Sequence, residues 1–244
     1  LGRIHGARVA DVGSGSGRMV NMLLDAGAAH VTSVEPSDAI EVLKRNTAKR
    51  AASITYVHGS GERLPLERYG AVFSIGVLHH VVDPIVILTH IYEALRPEGY
   101  VLLWVYGHEG NEAYLRWSSL LRRLTTKLPD FILSGLAHVL SAALSVYVMC
   151  CRALPLPMHR YMTRVLARLT WRQRVLTIFD QLNPTYAKYY REAEVRNLLE
   201  SSGFTNISLY HRHHYSWTAL GVRPAHPVSS VGDSRGCGQN VFRP

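Results

Sequence analysis

Three glycines at alternate positions, Gly13, Gly15 and Gly17, punctuate the run Val9-Ala10-Asp11-Val12-Gly13-Ser14-Gly15-Ser16-Gly17. Without Cβ atoms a backbone can approach a ligand closely and aim its N–H groups at it. Glu35 closes the next apolar run and Pro36 follows it, at a place where a carboxylate can accept hydrogen bonds from two ribose hydroxyls. Together the two features describe an adenosine site, with Ser14 inside its loop. Dinucleotide-binding chains share such glycines, but there the third small residue falls three after the second glycine. That position here is Arg18, and Gly17 comes one residue too early. Asp11 precedes the loop, where an anion opposes a pyrophosphate but attracts an ammonium or sulfonium group. The expected ligand is cationic at one end.

Other residue types point to an acceptor side. His79 and His80 follow the apolar run Ala71–Ile75, and either imidazole can take a proton from a hydroxyl or an activated carbon. The competing reading is a histidine packed against its own helix; it is preferred for His79, and both readings stay open for His80. Tyr106, Tyr189 and Tyr190 are candidates to line a substrate pocket, against the alternative of half-buried packing residues with a wet hydroxyl. His213 and His214 carry the same ambiguity and receive no role. No cluster of His, Cys and carboxylate suggests a metal. Cys150, Cys151 and Cys237 have the spacing of neither a zinc site nor a disulfide framework, which favours a reducing compartment.

The elements that must hold these residues follow from periodicity. Arg8–Val12, Val31–Val34, Ile54–Val57, Ala71–Ile75 and Tyr100–Val105 read as buried strands. Between them run helical patterns: Met19–Leu24, a helix opened by Pro36 and running to Lys49, and one begun by Asp83-Pro84 that ends around Pro97 and Gly99. Alternation at this rhythm predicts an α/β fold: a doubly wound, Rossmann-like, mostly parallel sheet with ligands at the carboxyl ends of its strands. After Gly110 about seventy residues (111–181) continue with helical spacing and no clear strand, an insertion after the fifth strand. The helix Glu192–Leu199, the strands Ile207–Tyr210 and Tyr215–Val222, and a polar turn at Arg212-His213-His214 close the domain. Residues 1–110 and 182–223 thus form the cofactor domain, and 224–244, rich in Gly, Ser and Pro, read as a disordered tail.

These residues resemble the class I S-adenosylmethionine-dependent methyltransferases, in particular the type 11-like group. VADVGSGSG is similar to the family's first motif and Glu35 to its ribose-binding acid. Gly59-Ser60-Gly61-Glu62-Arg63-Leu64-Pro65-Leu66 resembles the adenine-side segment, Phe73-Ser74-Ile75-Gly76-Val77-Leu78-His79-His80 the strand leading to the substrate face, and Leu95-Arg96-Pro97-Glu98-Gly99-Tyr100 the turn before the fifth strand. The resemblance implies S-adenosyl-L-methionine held by Asp11, Gly13, Ser14, Gly15, Gly17, Glu35, Pro36, Ser60, Gly61, Glu62, Ile75 and Gly76. The family usually has Asp where Ser60 stands and an acid where Gly70 stands. VYGHEGN, FDQLNP and HHYSW suggest a bacterial branch with a helical lid.

The chain has 244 residues, 47% of them hydrophobic and 18% charged, with a formal net charge of +9. That suits a globular protein with one core and an elaboration. Most of the charge lies between Asn111 and Tyr190, where eleven Lys or Arg face only Glu112, Asp130 and Asp180. Solvated helix faces and an anionic partner surface are both expected readings of it. Ala113, Trp117, Leu120, Leu121, Leu124 and Leu128 make an apolar stripe with Arg116, Arg122, Arg123 and Lys127 off it. Phe131–Cys151 contains no Asp, Glu, Lys or Arg; a buried lid hairpin is the first expectation, an interfacial element the second and a membrane span the third. Arg160, Arg164 and Arg168 stack like charges four residues apart.

The expected activity is methyl transfer to a small-molecule or lipid-like acceptor chosen by the insertion, with an anionic membrane surface as a further partner. Nucleic acid is disfavoured, because Ser74-Ile75-Gly76-Val77 stands where nucleic-acid amino methyltransferases of this fold carry Asn or Asp, then Pro-Pro and an aromatic. The chain begins at Leu1 with no charged-then-apolar leader, so a cytoplasmic, optionally membrane-associated location is expected. Two alternatives stay in view. One is a non-catalytic membrane-associated module of the same fold, motivated by Ser60, Gly70 and the basic insertion; the other is a nicotinamide-dependent oxidoreductase, which the early third glycine disfavours.

Overall fold

A computed structural model describes residues 4–112, 115–116, 125, 128–182 and 187–225. Its centre is a seven-stranded sheet: β1 (Arg8–Val12), β2 (His30–Glu35), β3 (Ile54–His58), β4 (Tyr69–Ile75), β5 (Leu95–Tyr106), β6 (Thr205–Arg212) and β7 (Ser216–Val222). The strand order is β3-β2-β1-β4-β5-β7-β6. All neighbours are parallel except β7, which runs antiparallel to β5 and β6. Helices α1 (Arg18–Asp25), α2 (Ala39–Thr47) and α3 (Pro84–Ala94) are the crossovers of the parallel half. The order reverses between β1 and β4, and ligands bind open α/β sheets beyond the strand ends at such a point. The doubly wound, Rossmann-like fold follows.

The sequence produces this sheet because its central strands are apolar on both faces. Successive residues point to opposite sides: Ala10, Val12 and Val72 enter one core with Leu88, Ile91 and Leu199, while Val9, Ala71 and Phe73 enter the other with Val20 and Leu23. The last strand in the order, β6, alternates between half-buried and exposed positions, as an edge strand with one solvated face should.

Two helix boundaries differ from expectation. Pro36 does not open α2: the Glu35 carboxylate accepts hydrogen bonds from the Ser37 amide (3.0 Å) and hydroxyl, turning the chain before the helix starts at Ala39. Helix α3 ends at Ala94, ahead of Pro97, where the Arg223 guanidinium donates to the carbonyls of Tyr92 (2.9 Å), Glu93 (3.0 Å) and Leu95 (2.5 Å) and lies 4.9 Å from the Tyr92 ring. A cation on orphan C-terminal carbonyls is stabilising. Arg223→Ala is therefore expected to cost about 1–2 kcal/mol, read as a fall in thermal midpoint of about 2–8 °C.

The insertion contributes α4 (Asp130–Ala153), α5 (His159–Arg164) and α6 (Trp171–Leu182), and α7 (Glu192–Ser201) follows it. Val148 and Cys151 of α4, Met162 of α5 and Leu166 make a small core of their own. The expected buried hairpin over Phe131–Cys151 is instead one continuous helix, and only 22% of its most apolar stretch is buried. The segment holds a single Gly and no Pro, Asn or Asp after Asp130, so nothing in it turns the chain. The stripe from Ala113 to Leu124, Cys237 and the tail beyond Ala225 lie outside the described residues.

Candidate active site

The loop after β1 is built by hydrogen bonds to its neighbour strand. The amides of Gly13 and Ser14 both donate to the Val34 carbonyl (2.8 and 3.1 Å), and the Gly15 amide donates to Glu35 Oε2 at 2.7 Å. Gly13 has φ 78°, and a Cβ there would lie 2.2 Å from a Val77 methyl. Gly15 has φ 51°, yet a Cβ on it would meet nothing within 4 Å. The first glycine is required by close packing; the second borders open space, as a cradle needs. The Ser14 hydroxyl donates to the Asp11 carbonyl at 2.8 Å, so this side chain fastens the turn.

Asp11 and Glu35 are both buried. Glu35 is held by Gly15 and Ser37, but Asp11 Oδ2 has no hydrogen-bond partner. Burial, reinforced by the nearby Glu35 charge, pushes the Asp11 carboxyl up to about 7. A buried carboxylate oxygen without a partner is costly, and a cation placed against it recovers that cost. Pro36, Ser60 and Glu62 are exposed near the ends of β2 and β3, whereas Gly61 is buried, where a Cβ would lie 2.7 Å from Ile87. Ile75 and Gly76 are half-buried at the end of β4, and the Gly76 amide donates to the Trp104 carbonyl at 3.0 Å.

Beyond β4 and β5 stands an aromatic wall. The His79 ring lies 4.2 Å from His80, 4.1 Å from Tyr106 and 6.0 Å from Trp104, and Tyr189 stacks on Tyr106 at 5.2 Å. His79 is 1% exposed and its Nδ1 has no partner. Burial, with the adjacent His80, drives its pKa down to about 3, so it stays neutral. His80 is exposed on the same short turn. Tyr190 belongs to the hydrophobic core, with its hydroxyl 3.4 Å from the Leu78 carbonyl, and does not line the open side as the sequence reading had it. His213 and His214 form the β6–β7 turn, with Tyr161 of the insertion beside Tyr215 at 5.3 Å.

Three contributors escaped the sequence reading: Ser37, Val77 and Trp104. Ser37 follows the acid by two residues, a short side chain able to close a local turn. Trp104 precedes Tyr106 by two on β5 and so shares its face, a signal that was available. Val77 carried none, because its contact with Gly13 is made across the fold.

Residues 10–103 match a family described as a methyltransferase domain. Those residues carry a methyltransferase domain. It is similar to a tRNA U34 carboxymethyltransferase of Alteromonas mediterranea, 33% identical over 117 residues, which is 45% of this chain and 35% of that protein. The chain thus spans about a third of the length of the curated relatives it matches. In fold it resembles an S-adenosylmethionine-dependent methyltransferase of Mesorhizobium loti (TM-score 0.53, 17% identity, 91% of this chain and 94% of that one). It also resembles a magnesium protoporphyrin IX methyltransferase of Synechocystis with bound S-adenosylhomocysteine (TM-score 0.50, 18% identity, 91% and 76%).

The cofactor of this domain class is S-adenosylmethionine, and the residues present fit it. The open flank of Gly15 suits a close backbone approach, Glu35 Oε2 has acceptor capacity for a ribose hydroxyl, and unpartnered Asp11 Oδ2 suits a cationic end. Among the described residues no group of three or more His, Cys, Asp or Glu could hold a metal ion.

Proposed function

We propose that this methyltransferase domain transfers a methyl group to a small-molecule or lipid-like acceptor held against the wall of His80, Tyr106 and Tyr189. The observation that carries the reading is that the Asp11–Gly15–Glu35 cradle and these rings stand at the carboxyl ends of β1, β2, β4 and β5, joined where Gly13 approaches Val77 on the turn that bears His80. When bound, S-adenosylmethionine supplies an electrophilic methyl group on a sulfonium that leaves as a neutral thioether. The protein's task is then alignment of acceptor, methyl and sulfur in line. Glu35 and the Gly15 loop fix one end, Asp11 offsets positive charge, and the aromatic wall orients a planar or apolar acceptor. His79, neutral and enclosed, supports the turn that presents its neighbour. His80 is placed to accept a proton from a hydroxyl or an activated carbon.

A second reading takes tRNA as the acceptor. It is favoured by the name of the relatives, tRNA U34 carboxymethyltransferase, and the basic stretch from Asn111 to Tyr190 suits phosphates. It opposes the expectation against nucleic acid drawn from Ser74-Ile75-Gly76-Val77. The missing Asn/Asp-Pro-Pro motif concerns amino-group acceptors and says nothing of a carbon or oxygen nucleophile.

One experiment separates the readings: label the methyl donor, incubate with extract, and partition the product into tRNA, lipid and small-molecule fractions. We expect label in the lipid or small-molecule fraction. Label in tRNA would install the second reading, and no label in any fraction, with cofactor binding verified by calorimetry, would refute methyl transfer. For an acceptor that must lose a proton, His80→Ala is expected to slow turnover at least about tenfold without altering cofactor affinity. His79→Ala is expected to lower the thermal midpoint as a cavity opens beneath the wall.

A further inference from the structure

We propose that the outward face of α4 docks on an anionic lipid bilayer, lying along its surface and not across it. The helix gathers its polar side chains along one side. Ser134, His138, Ser141, Ser145 and Arg152 fall on one strip at intervals of four, three, four and seven residues. Its middle meets α6, where the Trp171 indole N–H lies 3.3 Å from His138 Nδ1 and the Arg174 guanidinium donates to the half-buried Ser145 hydroxyl, while Ser141 is buried. A second strip, Leu133, Ala137, Val148 and Cys151, is buried.

Away from these runs lies a third strip, Ile132, Gly135, Val139, Ala142, Val146 and Met149, one residue every three or four with no polar side chain among them. All six are exposed, Val139 and Met149 to 66% and Val146 to 61%. The strip runs from Ile132 to Met149, about 26 Å at 1.5 Å per residue. A surface helix of a soluble domain shows the reverse pattern.

Two features favour lipid over a protein partner. An interface between proteins carries about one hydrogen bond per 100–200 Å² and anchors itself on Trp, Tyr or Arg. This strip offers no donor, acceptor or ring, which hydrocarbon alone does not require. The surroundings also supply charge of the matching sign. Arg152, Arg164, Arg168 and Arg172 are exposed on the insertion, where Asp130 and Asp180 are the only acids between residues 129 and 183, and anionic leaflets attract such groups. Trp171, 47% exposed beside the strip, is a residue type that settles at the headgroup level. A crossing is disfavoured because it would carry the bonded strip of serines, His138 and Arg174 into hydrocarbon.

The inference is independent of the acceptor and of turnover, and the test needs neither. The full chain is centrifuged with vesicles of phosphatidylcholine alone and of phosphatidylcholine with phosphatidylserine, while a cofactor titration monitors the fold. We expect binding to the anionic vesicles, at least about tenfold weaker for V139E/V146E. Binding should also be weaker for R164E/R168E at low salt, with that second difference shrinking as salt screens exposed charge. Should V139E/V146E not fold, R164E/R168E carries the test alone. Wild-type protein left in the supernatant with both vesicles would overturn the proposal, as would variants that bind like wild type. Sedimentation showing a dimer that V139E/V146E disperses, without vesicle binding, would assign the strip to a second copy and equally overturn it.

Discussion

Glu35→Ala is expected to weaken both S-adenosylmethionine and S-adenosylhomocysteine by about 10- to 100-fold, or about 1.4–2.8 kcal/mol. The carboxylate joins two loops: Oε2 accepts from the Gly15 amide at 2.7 Å, and Oε1 from the Ser37 amide at 3.0 Å. Hydrogen bonds to an ionised acceptor are worth about 1.5–3 kcal/mol each. Deletion removes the ribose partner and frees the loop that must lie against the ligand. Glu35→Gln should fall between, since the amide retains one acceptor oxygen but turns an N–H toward a backbone donor. Ribose is common to both ligands, so calorimetric titrations should show equal losses. A loss confined to S-adenosylmethionine would move the ribose elsewhere.

Asp11→Asn is expected to stabilise the ligand-free protein above neutral pH and to impair the ligand-bound one. The sign follows from burial. The carboxyl pKa rises from 3.8 to about 7 on folding, so the folded state holds its proton more tightly than the unfolded state. The free protein therefore loses stability as pH climbs from about 4 through 7 and levels off above that. The variant lacks this loss, so its unfolding free energy at pH 8 should exceed that of wild type by an amount on the order of a few kcal/mol at most.

Cofactor binding has the opposite dependence. A cationic group binds the ionised carboxylate, so wild-type affinity should tighten through pH 7 with release of up to one proton, whereas the variant should bind at least about tenfold more weakly at pH 8, with no such slope. Thermal scans with and without ligand across pH 5–9 measure both effects. Equal affinity of variant and wild type at pH 8 would show that Asp11 takes no part in holding the cation.

The cradle was legible because its logic is local: Asp11, Gly13, Gly15 and Glu35 declare themselves by residue type and spacing along one strand–turn–helix–strand unit. The wall was legible only in part. His79 and His80 are neighbours in sequence, yet one is enclosed and the other exposed, a division made by Trp104, Tyr106 and Tyr189 arriving from distant segments. Tyr189 and Tyr190 divide the same way, one to the wall and one to the core. Alternation along an extended segment predicts that they part, but not which goes inward. The helix over Phe131–Cys151 was hardest. An apolar run predicts burial without naming the medium, and its spacing does not say that Ser145 is the serine bonded to α6.

Glu35 also limits what ligand binding can gain. A carboxylate has about four lone-pair directions, and three already receive donors: the Gly15 amide on Oε2, and the Ser37 amide and hydroxyl on Oε1. One vacancy meets a ribose that brings two hydroxyls. A second contact to this acid has to evict a resident donor, and the Ser37 hydroxyl, able to swing about its Cα–Cβ bond, is the tenant most easily moved. Capture of the nucleoside is in that case partly an exchange, conserving the number of bonds on the acid. Its heat should be correspondingly modest, with the remaining driving force drawn from surface removed from water.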